Sequence, residues 1–248
     1  MRFPFYSLKK DWKMWYRIAD LTVEMNPVGD MPQRMREYEI QEGQADIRLV
    51  EEDYRLNSWL RRKLDINQAY YMETGRVFSD KALWFDSLML HSSAVVVGGY
   101  AYLFSGPSGM GKSTHTQGYL RTFGRDAVII NDDKPTLRRQ GQTWYAYGTP
   151  WCGKDGINRN LSAPVAGICF LHRGDTLLRR LSPAEAAIDI IRQTQYCQRD
   201  KKNTQKLLSL IDLLANEVPA FSFHNHAQPE DASLTYAAMS QAIKENKP

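Results

Sequence analysis

Cysteine is scarce in this 248-residue chain, with only Cys152, Cys169 and Cys197. The count is odd and no two of them have the spacing of a metal-ligand pair. That excludes a disulfide framework or a zinc finger and points to a reduced, cytoplasmic compartment. Long apolar runs are also missing: nothing approaches the roughly 18 residues a membrane span needs, so no membrane partner is expected. The opening run MRFPFYSLKKDWKMWYRIAD has no apolar h-region and does not read as a signal peptide. Internal repeats and low-complexity linkers are absent too. The formal net charge is only +4, far from the dense Lys/Arg stripe of a nucleic-acid binder, so no nucleic-acid partner is expected.

What remains is an ordinary globular composition, 43% hydrophobic and 24% charged, long enough for one or two domains with a real core. The charge is unevenly placed. Residues 1–80 carry net −1 and residues 121–180 net +5. The excess falls just after the glycine-rich motif described below, where an anion would sit. A solvated basic face would look the same.

Residues 1–80 read as a small, mostly β accessory region. Arg17–Met25 alternates as one strand, Asn26-Pro27-Val28-Gly29-Asp30 is turn chemistry, and Ala45–Val50 fits another strand. Trp59–Leu64 has helical character. The aromatics of this region, among them Trp12, Trp15, Tyr16, Tyr38, Tyr54, Trp59, Tyr70 and Tyr71, read as core filler rather than a base-stacking platform.

Residues 81–248 form a second unit with an α/β pattern. Ala82–His91 is apolar at helical spacing, and Ser93–Val97 and Tyr100–Phe104 flank Gly98-Gly99 as a hairpin. A helix is expected over Thr116–Thr122, and strands over Asp126–Ile130, Thr143–Tyr147 and Val165–Leu171. The last third is helical, about 183–197 and 203–216, with a capping box at Ser182-Pro183-Ala184-Glu185. Ala220–His224 reads as a final strand and Pro229–Lys244 as a terminal helix.

The motif that carries chemistry is Gly106-Pro107-Ser108-Gly109-Met110-Gly111-Lys112-Ser113-Thr114, a full match to the Walker A pattern. Glycines let backbone N–H groups curl round an anion, and the following helix adds its positive end. Lys112 neutralises the β/γ oxygens and Ser113 reaches Mg²⁺. A predicted strand before it and a helix after it supply the context that separates such a loop from a chance match.

Asp132-Asp133, at the end of the predicted strand 126–130, is the second carrier. Carboxylates there lie on the ligand side of an α/β sheet, and two like charges side by side push one pKa up, as a general base requires. Capping of a strand-end turn is the plainer reading. Only 19 residues separate Ser113 from Asp133, enough for one helix and one strand. That spacing is unusually compact for a P-loop protein.

Taken together, Leu90-His91-Ser92-Ser93, the Gly hairpin, GPSGMGKST and VIINDD resemble the catalytic domain of HPr kinase/phosphorylase, whose core is shared with phosphoenolpyruvate carboxykinase. The likeness covers roughly residues 84–180. The segment GTPWCGK and the run FLHRGDTLLRRLSPAEA are similar to HPr-kinase-related proteins, some of which act in peptide-modifying gene clusters. The resemblance implies an α/β (α+β) P-loop core with a β-rich N-terminal region and C-terminal helices. It implies ATP with Mg²⁺ or Mn²⁺, and phosphoryl transfer to a serine-like hydroxyl of a peptide, protein or small metabolite. Lys112, Ser113 and Thr114 would hold nucleotide and metal, Asp132 would be the base and Asp133 the metal-organising acid, with the reverse order open. His91 matches a family histidine near the transferred phosphate; a structural histidine is the plainer reading. Related kinases often form homo-oligomers, although no segment here specifies an interface.

Lys154 and Arg159, in the inter-strand segment GTPWCGKDGINRN, are the substrate-binding candidates. Cys152 has no neighbouring base and is not read as a nucleophile. Two other classes stay open, a nucleotide-binding regulatory module with little turnover and a carboxykinase-type lyase. The chain is short for a carboxykinase, and the metal-binding Lys and His and the dicarboxylate arginines of such an enzyme are not found in it.

Overall fold

A computed structural model describes residues 14–50, 65–194, 201–225 and 231–245. The proposed helical stretch Trp59–Leu64, together with Trp12, Tyr54 and Cys197, lies outside the described residues.

The N-terminal part builds a four-stranded sheet. Strands β1 (Trp15–Ile18) and β2 (Leu21–Met25) pair antiparallel, β3 (Glu39–Ile40) adds beside β1, and β4 (Ile47–Leu49) adds parallel to β2. The single strand expected over Arg17–Met25 is therefore a hairpin. Its two-residue turn is Ala19-Asp20, both at positive φ (53° and 58°), a type I′ geometry with none of the Asn or Gly that usually announces it. A short helix α1 (Met31–Met35) follows β2.

Helix α2 (Ile66–Ala82) was not foreseen in a region expected to be mostly β. Asp65 caps its N-terminus by accepting a hydrogen bond from Gln68 N. Its buried face mixes polar and apolar groups (Ala69, Tyr70, Glu73, Thr74, Val77, Phe78), so hydrophobic periodicity alone does not expose it. The helix expected over Ala82–His91 is also corrected. α2 ends at Ala82, and left-handed Asp86 (φ 53°) breaks the chain. Strand β5 (Ser87–Met89) then follows, completely buried, so its apolar spacing reports burial on both faces.

The second sheet has nine strands. The order is β5, β9 (Thr136–Gln140), β10 (Thr143–Tyr147), β11 (Ser162–Arg173), β7 (Tyr100–Ser105), β6 (Ser92–Val97), β8 (Ala127–Asn131). The C-terminal half of β11 also pairs with β13 (Ala220–Asn225), which takes β12 (Leu177–Arg180) at its other edge. β9 and β12 were not anticipated. β6 and β7 form the expected hairpin, with Gly98 and Gly99 at positive φ. The heart of the sheet is parallel, β7 beside β11 beside β13.

Alternate residues of these strands supply two cores, as the pleat requires. Leu103, Ile168 and Phe170 face helices α4 (Pro183–Gln193) and α5 (Lys201–Glu217). Tyr102, Phe104, Cys169 and Leu171 face helices α3 (Lys112–Phe123) and α6 (Asp231–Glu245). The fold is thus mixed α/β, with helices on both faces of a largely parallel centre. The capping box at Ser182 is present: Glu185 N donates to Ser182 Oγ, and Ser182 N donates to Glu185 Oε2. A third core joins the N-terminal sheet to α2 and also takes in Met89 and Trp151.

Candidate active site

β7 runs straight into the glycine-rich loop, and α3 starts at Lys112. Gly106, Gly109 and Gly111 sit at φ 147°, 82° and 91°, where an L side chain is strained. At Gly106 a Cβ would also come within 3.1 Å of Leu171 O, on neighbouring β11. Lys112 is buried, and its Nζ donates to Gly106 O (2.8 Å) and Pro107 O (3.2 Å). Burial lowers its pKa and the Asp133 carboxylate opposes that, so the two motifs feel one another's charge. Ser113 and Thr114 are exposed on the first turn of α3, and Arg173 Nη2 donates to Gly109 O at 3.1 Å.

The acidic pair lies just past β8. Asn131, fully buried, turns the chain: its Oδ1 accepts from Asp133 N (2.9 Å) and Lys134 N (2.7 Å), and its Nδ2 donates to Thr149 O (2.9 Å). The segment Leu90–Ser93 runs alongside. Leu90 N donates to Pro135 O, Ser92 N to Asp133 O, and Ser93 Oγ to Asp132 O. His91 is thereby aimed at Asp133, with Nε2 3.2 Å from Oδ1; its Nδ1 is 3.2 Å from Gln193 Oε1.

The two carboxylates have different surroundings. Burial of Asp133 alone would raise its pKa, but the His91 hydrogen bond and the Lys134 ammonium on Oδ2 prevail and hold it well below the usual carboxylate range. Asp132 goes the other way. Burial raises its pKa, the Gly153 N–H donated to Oδ1 (2.5 Å) lowers it, and the Asp133 charge raises it again.

The segment 148–160 folds over this pair. Asn131 and Asn158 form a β-bridge, and Arg159 N donates to Ile130 O. At Gly148 a Cβ would lie 1.9 Å from Arg159 O and 2.5 Å from Ile130 O, so only glycine fits. Trp151 pins the segment to α2: it is fully buried, stacks on Phe78 (4.7 Å) and donates Nε1 to Thr74 Oγ1. Cys152 is buried, and burial raises its pKa, which suits a packed thiol and not a nucleophile.

The structure therefore gathers Lys112, Asp132, Asp133 and His91 around the end of β8 and the glycine-rich loop. It directs Arg159 into an ion pair with Glu37 (2.8 Å), and it leaves Lys154 exposed in the turn after Gly153. Sequence reasoning missed Tyr71, whose hydroxyl donates to Cys152 O (2.9 Å) and lies 3.5 Å from Asp133 Oδ2, and Lys134, Gln193 and Arg34. Of these only Lys134 had a signal, its place next to the acidic pair.

Fold and loop define a mixed α/β protein with a P-loop-like core. No protein-family model matches this chain, and no curated protein matches it. Among solved structures it is similar to the HPr(Ser) kinase/phosphatase from Coxiella burnetii, at 12% identity and a TM-score of 0.38, over 64% of this chain and 99% of that one. So distant a likeness transfers no residue roles, and the reading below rests on this chain's own groups.

Proposed function

We propose that the chain is an ATP-dependent kinase that moves the γ-phosphoryl group to an aliphatic hydroxyl of a peptide, protein or small metabolite. The observation that carries this reading is that Lys112 of the glycine-rich loop lies within electrostatic reach of Asp133, whose neighbour Asp132 has the opposite character. A phosphoryl-transfer site needs cationic positioning of the phosphates, an ionised acid near the metal, and a base for the acceptor hydroxyl. Gly106–Thr114 cradle the phosphates, with Lys112 against the β/γ oxygens. Asp132, with raised pKa and the Gly153 N–H on Oδ1 to orient it, takes the hydroxyl proton. His91 keeps Asp133 ionised and oriented.

Among the described residues no three His, Cys, Asp or Glu converge as a self-sufficient metal site. One hydroxyl (Ser113) and one ionised carboxylate (Asp133) near the P-loop fit Mg²⁺ or Mn²⁺, which takes few protein ligands and completes its shell with phosphate oxygens and water. When bound, such an ion neutralises charge between the β- and γ-phosphates. In this reading residues 1–80 are an accessory region and 81–248 the kinase domain. The reading places the chain in the cytoplasm, with Cys152 and Cys169 as free, buried thiols. No helix of the described residues is long and apolar enough to cross a membrane.

The test is Lys112→Ala. Losing the phosphate-paired charge costs about 2–5 kcal/mol, so ATP should no longer raise the melting temperature. The phosphate gain (about 80 Da) that wild type produces in a peptide and metabolite pool should vanish. Unchanged turnover would end the kinase assignment, and tight ATP binding by wild type without turnover would favour a regulatory module.

A further inference from the structure

Arg34 comes from α1, in the N-terminal part, yet it ends beside the candidate active site. Its Nη1 donates to Cys152 O (2.9 Å) and Gly153 O (3.3 Å) and lies 2.8 Å from Cys152 Sγ. Its guanidinium stacks over the Tyr71 ring, 5.2 Å from the centroid, and Lys134 Nζ lies 5.4 Å from the same centroid. Tyr71 in turn bonds Cys152 O and approaches Asp133. Arg34 and both carboxylates act electrostatically on the Tyr71 hydroxyl, so all of them converge on one side chain.

The partners Arg34 lacks are as telling as those it has. Several arginines of the chain are paired with carboxylates, Arg76 with Glu73 and Asp80, Arg139 with Glu217, Arg159 with Glu37, whereas half-buried Arg138, like Arg34, is held by carbonyls, those of Phe85 and Ala19. Half-buried Arg34 has no carboxylate within ion-pair distance among the described residues, and its Nε and Nη2 make no hydrogen bond there. Nη1 is held by carbonyls, which fixes the guanidinium plane. The Nε/Nη2 edge that remains is one that grips a carboxylate or phosphate with two parallel hydrogen bonds. With no protein partner on that edge among the described residues, it is open to an anionic ligand.

We propose that Arg34 anchors the acceptor by an anionic group, so that the hydroxyl-bearing substrate carries a carboxylate or a phosphate. This rests on the kinase reading for what the anion belongs to, but not for its binding. The acceptor lies between Arg34 and Asp132, its anion on the Nε/Nη2 edge and its hydroxyl toward the base. The N-terminal part thus supplies a substrate contact as well as a wall.

The experiment uses acetate and inorganic phosphate as probes, titrated at constant ionic strength into full-length protein saturated with ADP and Mg²⁺, which fills the P-loop. Melting temperature reports binding. Wild type should show saturable stabilisation by at least one probe, and which one responds distinguishes a carboxylate from a phosphate acceptor. Arg34→Gln should weaken that response at least tenfold, and Arg34→Lys should restore part of it, which controls for misfolding. Nucleotide-free Lys112→Ala should keep the response. The proposal is overturned if wild type shows no saturable response, if Arg34→Gln responds like wild type, or if only Lys112→Ala loses it. Failure of the kinase reading shows separately, as a Lys112→Ala variant that turns over normally, and leaves the anion result standing.

Discussion

His91 Nε2 sits 3.2 Å from Asp133 Oδ1, and the contact is built by backbone. Ser92 N and Leu90 N donate to Asp133 O and Pro135 O, so the residue between them can only face the acidic turn. Gln193 closes the arrangement by accepting His91 N through its carbonyl (2.8 Å) and meeting Nδ1 through its side chain. Asp133 is thereby committed to the ionised form, while Asp132, one residue away, has only backbone N–H groups to oppose its burial and keeps a raised pKa. Adjacent acids with opposed environments are the usual sign of separate roles.

The aspartates should therefore separate under mutation. Asp132→Asn is expected to cut turnover by roughly 10²–10⁴ while ATP affinity stays close to wild type, because a general base acts on the transition state. Asp133→Asn is expected to slow transfer and also to raise the Mg²⁺ requirement. A Mg²⁺ titration of both variants at saturating ATP decides it. Identical metal dependence and identical rate loss would show that the pair acts as one acidic unit.

Gly148→Ala should be among the most damaging small changes in the chain. The new methyl would overlap the carbonyls of Arg159 and Ile130, both backbone and both part of the pairing that lays 148–160 along β8. Overpacking of this kind costs roughly 1–3 kcal/mol and occasionally more. Urea denaturation should show a lower midpoint, and turnover should fall as well because Gly153 and Asp132 move with the segment. A variant with wild-type stability and rate would mean that the segment repacks freely.

His115 makes stability fall with acid. It lies on α3, buried among Phe104, Tyr119 and Phe223, with Nε2 2.9 Å from Thr235 Oγ1, and burial lowers its pKa from 6.5 to about 4. Between those values the unfolded chain binds a proton that the folded chain refuses, so stability is full above pH 6.5 and declines as pH drops toward 4. The loss is about 3 kcal/mol at the lower limit. Unfolding free energies at stepped pH should show this slope in wild type, and His115→Gln should lack it while other acid-linked losses remain. An equal slope in both would place the sensitivity elsewhere.

Local chemistry made much of this protein legible before folding was considered. The glycine-rich loop, the Gly98-Gly99 turn, the Ser182 capping box and the short strand before Asp132 each declare themselves within a few residues, because positive φ, capping and alternation are short-range demands. The hairpin turn at Ala19-Asp20 and helix α2 escaped for the converse reason. Neither has a strong local signal, and both are imposed by what packs on them. The contrast between the two aspartates shows the same limit. β8 ends at Asn131, and the Asn131 side chain sets the turn, so strand alternation does not decide which way the two carboxylates face. Burial, a distant histidine and a glycine N–H then give the two acids their characters. Those are properties of packing, as are Arg34 and Tyr71 arriving from the N-terminal part. Sequence named the candidate residues, and tertiary structure decided which charges meet, because a pKa and an ion pair depend on distance and desolvation that no local pattern encodes.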